Sequence, residues 1–190
     1  MAKKRINYKR KRLGRTNYKK RLSILKSLKN RLVIRKSLNN ITVQIVQYDK
    51  NGDKILASSH SSEIKKQGWK FHTGNVPSAY LTGFLLGIKA KNKGLKEAIM
   101  DIGFNASTKG SRIYASLKGV TDAGIKISHS KEILPDDKRI KGEHIKSFFE
   151  SIKKDTKNTL FNNYKKDNIN VSNIEKEIED IKNKIEKNVK

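Results

Sequence analysis

The beginning of this chain is rich in lysine and arginine and also contains two tyrosines, residue types that can contact phosphates and bases. The first 48 residues contain sixteen lysines or arginines and no acidic residue; the first acid is Asp49. Within Lys3–Arg21 these cations alternate with Tyr8 and Tyr18. Cations neutralise phosphates and aromatic rings stack on exposed bases, so the mixture favours nucleic acid. The alternative interpretation is a solvated basic tail or a localisation signal.

The excess of positive charge extends beyond this first stretch. The chain has 44 basic and 18 acidic side chains, a net charge of +26. Residues 1–48 contribute +16, and residues 49–150 still contribute +7, from 18 basic and 11 acidic residues. Since like charges repel in a compact state, a surplus this large predicts a polyanionic partner.

Four carboxylates are candidates for nuclease chemistry: Asp49, Asp53, Asp101 and Asp122. Two-metal phosphoryl chemistry needs several carboxylates at one site. A hairpin turn accounts for Asp49 and Asp53, and a helix end accounts for Asp122. Only Asp101, near the end of an apolar strand, has no such explanation. We therefore predict no enzyme, and a nuclease around Asp101 is the weakest of our hypotheses.

The sequence predicts neither a metal site nor a cofactor. The histidines (His60, His72, His129, His144) do not have metal-ligand spacing, there is no cysteine, and no phosphate-binding glycine loop is present. No apolar run approaches about 18 residues, so we expect no membrane span. The start of the chain lacks the apolar stretch of a secretory signal. The absence of cysteine fits a reducing compartment.

The first half of the chain predicts an arm, a short helix and three strands. We expect an extended arm over 1–15. A helix capped by Thr16 or Asn17 should then run to about Ser27, with Leu22 and Leu25 on its inner side. Hydrophobic periodicity and turn residues predict three antiparallel strands: Arg31–Leu38, a tight turn at Asn39–Asn40, a strand from Ile41, a turn at Lys50–Asp53, and Lys54–Ser59.

The next segment predicts helices that pack on this sheet. A short helix over Glu63–Gln67 and a long apolar helix from Asn75 to Gly94 are expected. Gly83 and Gly87 lie four residues apart, which we interpret as close packing of this helix on the sheet. A fourth strand over Glu97–Phe104 and a helix over Ile113–Ala123 complete the pattern. The fold class is therefore α/β (α+β-like), with a mixed, largely antiparallel sheet.

The C-terminal part predicts a linker over 129–142 and helices from Gly142 onward. Val171, Ile174, Ile178, Ile181 and Ile185 form a narrow apolar seam, and Ser172 with Glu175 fits a capping box. Either this helix docks on its own domain or it packs on a neighbouring protein, and the sequence leaves both open.

Five segments in a fixed order carry a resemblance to a known family. The chain resembles the universal L-eighteen family of large-subunit ribosomal proteins, in its archaeal form, whose eukaryotic counterpart is named L-five. The segments are KRKRLGRTNYKKRL (9–22), RLVIRKSLNNITVQI (31–45), NVPSAYLTGFLLGIKA (75–90), TKGSRIYASLKGVTDAGI (108–125) and KGEHI (141–145). The resemblance covers about 5–150, with Ser128 standing where the family usually has proline.

The resemblance implies a non-catalytic protein that binds 5S ribosomal RNA and attaches it to the large rRNA in the central protuberance. It also implies a neighbouring 5S-binding ribosomal protein as a partner and a cytoplasmic location on the ribosome. The expected organisation is a basic arm (1–15), an α/β rRNA-binding domain (16–130), and a linker with a helical extension (131–190). A general nucleic-acid or chromatin binder is the alternative.

Four groups of RNA-binding residues follow from the resemblance. Phosphate contacts are implied for Lys9, Arg10, Lys11, Arg12 and Arg15, and Tyr18 and Arg21 would anchor the end of the arm. The first hairpin would present Arg35, Lys36, Ser37, Asn39 and Asn40. The loop before the long helix would contribute Trp69, Lys70, His72, Gly74 and Asn75, and a later loop Lys109, Ser111 and Arg112.

Overall fold

The computed structural model describes residues 6–152, 160–162, 164 and 169–188, in which a four-stranded sheet carries helices on one face. The strands are β1 (Arg31–Lys36), β2 (Ile41–Gln47), β3 (Lys54–His60) and β4 (Ile99–Asp101), in the order β3-β2-β1-β4. β1, β2 and β3 are antiparallel, and β4 runs parallel to β1. The mixed α/β class and the three-strand meander are confirmed. The division of the chain after residues 15 and 130 stays a prediction.

Alternation along the strands separates a buried face from an open face. Leu32 and Ile34 on β1 and Val43 and Ile45 on β2 are fully buried. Because successive side chains point to opposite faces, Arg35 and its neighbours Thr42 and Gln44 lie on the other face. The buried face packs against the helices, and the open face is polar.

Two central helices form the layer that covers the buried face. They are α4 (Val76–Asn92) and α5 (Arg112–Asp122). Asn75 caps α4 by accepting a hydrogen bond from the Ser78 backbone N–H at 2.8 Å, and Pro77 occupies the first turn, as the sequence predicted. A shorter helix, α3 (Ser61–Lys66), precedes them; His60 and Glu63 form its capping box.

Gly83 and Gly87 do not pack on the sheet, so that prediction was wrong. A Cβ atom on Gly83 would lie 2.0 Å from the Ser116 carbonyl oxygen, and one on Gly87 would lie 2.4 Å from the Ala123 Cβ. Both neighbours belong to the α5 region. Residues four apart share one helix face, and this face is turned to the other helix.

Two local predictions in the sheet need correction. The first hairpin has a four-residue loop, Ser37–Asn40, and neither asparagine has a positive φ. Ser37 closes this loop, because its hydroxyl donates to the Asn40 carbonyl at 3.0 Å and accepts from the Asn40 N–H at 2.9 Å. β4 has three residues instead of eight, because it pairs only with the first half of β1.

The N-terminal region, described from Ile6 onward, is more compact than the extended arm that we expected. Lys9–Arg12 forms a helical turn, α1, and Tyr18–Leu25 forms α2, capped by Asn17. Leu22 is 60% exposed and does not face inward, whereas Leu25 is half-buried, as predicted. The Tyr8 and Tyr18 rings lie 5.3 Å apart and join α1 to α2.

The C-terminal helix docks on its own chain, which decides between the two interpretations. The elements are α6 (Asp137–Ile140) inside the expected linker, α7 (Glu143–Ile152) and α8 (Ile174–Asn188). The four isoleucines of α8 are at least 96% buried, and Lys182 lies over the Phe84 ring of α4. Asn170, not Ser172, caps the 3₁₀ turn before α8. No helix within the described ranges is long and apolar enough to cross a membrane.

Candidate nucleic-acid interface

Three segments that are distant in sequence meet at one end of the molecule. They are the hairpin loop Ser37–Asn40, the loop Trp69–Asn75 and the first residue of α5, Arg112. The Nη1 atom of Arg112 donates to the Gly74 carbonyl at 2.6 Å and to the Leu38 carbonyl at 3.2 Å. Arg112 therefore joins two loops that were predicted separately, and we call this arrangement the three-loop junction.

Buried polar contacts fix the two loops of the junction to each other. Thr73 is 5% exposed, and its hydroxyl lies 2.7 Å from the Asn39 carbonyl and 2.9 Å from the Asn40 Oδ1. Asn40 Oδ1 also accepts a hydrogen bond from Ser61 at 3.1 Å. These contacts leave Lys36, Ser37 and Asn39 exposed at the tip of the hairpin.

Gly74 is needed where the two loops approach most closely. A Cβ atom there would lie 2.7 Å from the Leu38 carbonyl oxygen and 2.8 Å from His72 Cε1. His72 is exposed, and its Nδ1 accepts a hydrogen bond from the Gly74 N–H at 3.1 Å. Trp69, in contrast, is 3% exposed and packs edge-on against Phe71. Its ring belongs to the core, and no base could stack on it.

A second group of cations surrounds a small polar pocket between the arm and the sheet. The pocket is lined by five cationic side chains and one acid: Arg10, Arg15, Lys20, Arg21, Arg35 and Asp101. Arg10 Nε donates to the Thr16 hydroxyl at 2.9 Å, which holds the turn after α1. Four arginines from the predicted RNA-binding groups thus converge, and Lys20 is an addition that the prediction missed. We call this group the arm pocket.

A chain of alternating charges supports the arm pocket from beneath. Arg21 and Arg31 both bind Asp53, at 2.9 and 2.6 Å. Arg31 and Arg35 both bind Asp101, at 3.1 and 3.3 Å. The pKa of Asp53 lies below its usual value because the hydrogen bonds and charges of the two arginines outweigh the effect of its partial burial.

Asp101 therefore has a structural role. Its carboxylate is engaged by two guanidinium groups and by the Gly103 N–H at 2.9 Å. It links β4 to β1 and holds Arg35 at the surface. In the described part of the chain, no three or more His, Cys, Asp or Glu side chains are grouped to hold a metal ion.

The remaining predicted residues lie at the margins of these two sites. Lys9, Lys11 and Arg12 are exposed on α1, and Tyr18 is half-buried. Lys70 is exposed and lies 4.0 Å from Glu177 of α8. Lys109 is exposed in the loop before α5, where Ser111 occupies the N-cap position without a side-chain capping bond.

Comparison with known proteins decides the family. The family described as "Ribosomal large subunit proteins 60S L5, and 50S L18" matches residues 2–97 and 88–130. The chain belongs to this family. It is 45% identical over 186 residues to a large ribosomal subunit protein uL18 of Methanococcus maripaludis, covering 97% of this chain and 96% of the relative.

Two further archaeal relatives agree with this assignment, and both are described as large ribosomal subunit protein uL18. The protein of Methanosphaera stadtmanae is 44% identical over 96% of this chain and 94% of its own. The protein of Korarchaeum cryptofilum is 44% identical over 80% of this chain and 77% of its own. The chain is thus a structural protein of the large ribosomal subunit and not an enzyme, with rRNA and ribosomal proteins as its partners.

Sequence reasoning did not find Thr73, Lys20 or Arg31 in this ribosomal protein. Thr73 carries no signal in the sequence, because its role depends on a loop 33 residues away. Lys20 is one of many similar lysines. For Arg31 there was a signal, since the unexplained Asp101 in an apolar strand required a cationic partner, and Arg31 occupies the neighbouring strand.

Proposed function

We propose that this protein binds 5S ribosomal RNA and attaches it to the large rRNA in the central protuberance of the large subunit. A neighbouring 5S-binding ribosomal protein would be its protein partner, and the site of action would be the cytoplasmic ribosome. The role is that of a scaffold, because the charged side chains are arranged for phosphate contacts.

The observation that supports this proposal most strongly is the arm pocket. Arg10, Arg15 and Lys20 come from the arm and α2, and Arg35 comes from the open face of the sheet. Asp101 is already paired to Arg31 and Arg35, so the pocket keeps a large positive excess. A folded RNA brings phosphates close together, and such a concentration of guanidinium and ammonium groups suits them.

The three-loop junction supports the same proposal from a different part of the surface. Its exposed polar side chains include Ser37, Asn39, Lys70 and His72, with the exposed Lys36 at the adjoining end of β1. These groups can donate to phosphates, riboses or base edges. The loops themselves are held by buried hydrogen bonds, so their shape does not depend on RNA. Fixed loops together with a charged pocket favour recognition of RNA shape.

The test compares paired substitutions on two surfaces. In the first variant, Arg10→Gln and Arg15→Gln remove two cations from the arm pocket. In the control, Lys176→Gln and Lys187→Gln remove two exposed cations from α8. Affinity for 5S rRNA is measured between about 50 and about 200 mM salt.

The proposal predicts that only the arm variant changes the salt dependence. The plot of log affinity against log salt concentration falls steeply. Each lost phosphate contact should make its slope less steep by about 0.7–0.9, so two lost contacts should make it less steep by about 1.5. If both variants lose affinity equally, the arm pocket is not the contact surface and binding reflects overall charge. If the protein shows no preference for 5S rRNA over duplex DNA of equal length, a general nucleic-acid binder explains it better.

A further inference from the structure

Tyr164, from the C-terminal part of the chain, contacts the three-loop junction. The Tyr164 hydroxyl accepts a hydrogen bond from the His72 backbone N–H at 3.0 Å, across 92 residues of sequence. The Tyr164 ring packs edge-on against Phe71, with centroids 5.7 Å apart. This tyrosine therefore contacts the loop Trp69–Asn75 both through its hydroxyl and through its ring.

A continuous series of hydrogen bonds leads from Tyr164 to the hairpin. The His72 ring accepts from the Gly74 N–H at 3.1 Å, and the Gly74 carbonyl accepts from Arg112 at 2.6 Å. Arg112 also binds the Leu38 carbonyl at 3.2 Å. A shift of His72 would thus be transmitted to Gly74, whose backbone lies so close to the hairpin that an added Cβ atom would be 2.7 Å from the Leu38 carbonyl oxygen.

The loop depends on such contacts because it has no regular secondary structure. Residues 69–75 belong to no helix or strand, and Lys70 and His72 are exposed. Ordering the backbone of such a loop costs conformational entropy. If the protein bears this cost before RNA arrives, binding is stronger by the same amount.

Tyr164 is itself held by aromatic neighbours from the same part of the chain. Its ring lies 6.0 Å from Phe161, and Phe161 lies 5.2 Å from Phe149 of α7. Burial raises the pKa of the Tyr164 hydroxyl above its ordinary value of 10.0, so the group stays uncharged at neutral pH. The series Trp69, Phe71, Tyr164, Phe161 and Phe149 thus connects the core to α7.

We propose that Tyr164 is a positioning residue, which orders the loop Trp69–Asn75 in the free protein so that the three-loop junction is preformed for rRNA. The C-terminal extension thereby contributes to RNA affinity without touching RNA through this residue. The affinity part of this inference rests on the proposed function, whereas the ordering of the loop does not.

The experiment uses the full chain with Tyr164→Phe, which keeps the ring and removes the acceptor for His72. The matched control is Tyr80→Phe, which removes the hydroxyl that donates to Asp122 at 2.9 Å, between α4 and α5. Amide hydrogen exchange of residues 69–75 is measured without RNA. Affinity is measured separately for 5S rRNA and for large-subunit rRNA.

Loss of one hydrogen bond should weaken rRNA binding about fivefold in Tyr164→Phe. Exchange in residues 69–75 should accelerate by at least a similar factor, and Tyr80→Phe should change neither quantity. If Tyr164 only stabilised the fold, Tyr164→Phe would lower the melting temperature as much as Tyr80→Phe does, and amide exchange in residues 69–75 would not become faster.

Unchanged exchange in the loop would overturn the inference, and so would faster exchange with unchanged affinity for both RNAs. Failure of the proposed function would look different. In that case the wild-type protein would show no preference for 5S rRNA, while the exchange measured without RNA would still report whether Tyr164 orders the loop.

Discussion

At the scale of single residues, the pairing of Asp101 with Arg31 has the largest consequences. Asp101 is 7% exposed and Arg31 is 2% exposed, so both charges are removed from water. Such a pair gives little net stability over an apolar pair, but removing one partner leaves an uncompensated buried charge. Asp53, the second partner of Arg31, is at the surface and can compensate only part of this loss.

Asp101→Asn should therefore lower the free energy of unfolding by about 3 kcal/mol. The measurement is urea denaturation at neutral pH. The control is Glu97→Gln, which breaks the pair with Lys29, both partners of which are about half exposed; this should cost less than about 1 kcal/mol. If both substitutions lowered the free energy of unfolding equally, the buried pair would contribute no more to stability than the exposed pair.

The lowered pKa of His144 makes the stability of the folded protein depend on pH. Burial, with a smaller effect from Arg139, holds the pKa of His144 below its ordinary value of 6.5. In the unfolded chain, His144 binds a proton near its ordinary pKa. In the folded chain, it binds a proton only at a lower pH. Acid therefore favours the unfolded state, and the stability present above pH 6.5 is lost as the pH falls below it.

The wild-type protein should accordingly lose more stability than His144→Gln between about pH 7.5 and about pH 5.5. The readout is the urea midpoint of each protein at the two values. The other histidines are present in both proteins, so their contributions cancel in the comparison. A wild-type protein that loses no more than the variant would contradict the assignment.

Residue types predicted the exposed cations well but not the polar contacts among them. A dense run of lysine and arginine cannot be buried, and Lys9, Lys11 and Arg12 are exposed as expected. Within the described ranges, Lys9, Arg12 and Arg15 have no ionic partner, whereas Arg21, Arg31 and Arg35 do. For Arg31 and Arg35 the shared partner is Asp101, which depends on the parallel pairing of β1 with β4 and is not encoded by local sequence.

At the scale of elements, the contact between α4 and α5 depends on the absence of side chains. A Cβ atom on Gly119 would lie 2.1 Å from the Tyr80 carbonyl oxygen, and one on Gly83 would lie 2.0 Å from that of Ser116. The two helix backbones touch at both positions. Because α4 also packs on the sheet and on α8, any separation of α4 from α5 disturbs the whole core.

Gly119→Ala should destabilise the protein by about 3 kcal/mol, since overpacking outweighs the better helix propensity of alanine. Thermal unfolding followed by circular dichroism is the measurement. Thr121→Ala, on the same helix but half-exposed, should stay within about 0.5 kcal/mol of wild type. A stabilised Gly119→Ala protein would contradict the close helix contact.

Elements with strong local periodicity were predictable, and those that depend on distant partners were not. The alternation in β2 and the capped, apolar α4 appear where the sequence placed them. β4 is shorter than predicted because only three of its residues meet β1. The spacing of Gly83 and Gly87 indicated a close approach, but sequence spacing cannot say whether the neighbour is a strand or a helix.

At the scale of the whole molecule, the C-terminal helix contributes to the core, while the N-terminal region carries most of the surplus positive charge. Apolar residues of α8 are buried against the helical layer, with Ile174, Ile178, Ile181 and Ile185 in the core. The arm, the hairpin and the open sheet face carry the unpaired cations of the N-terminal quarter. Residues 1–48 contribute +16 of the net charge of +26, so these elements offer many phosphate-binding groups on a folded support.

We propose that this protein binds 5S rRNA selectively, and a competition titration is the decisive experiment. The wild-type protein is bound to labelled 5S rRNA, and unlabelled tRNA is added at several salt concentrations. If six to ten phosphates are contacted, affinity should fall by about 10³–10⁵ between 50 and 200 mM salt. We predict that the preference for 5S rRNA over tRNA persists across that range. Equal competition by tRNA at every salt concentration would contradict the claim.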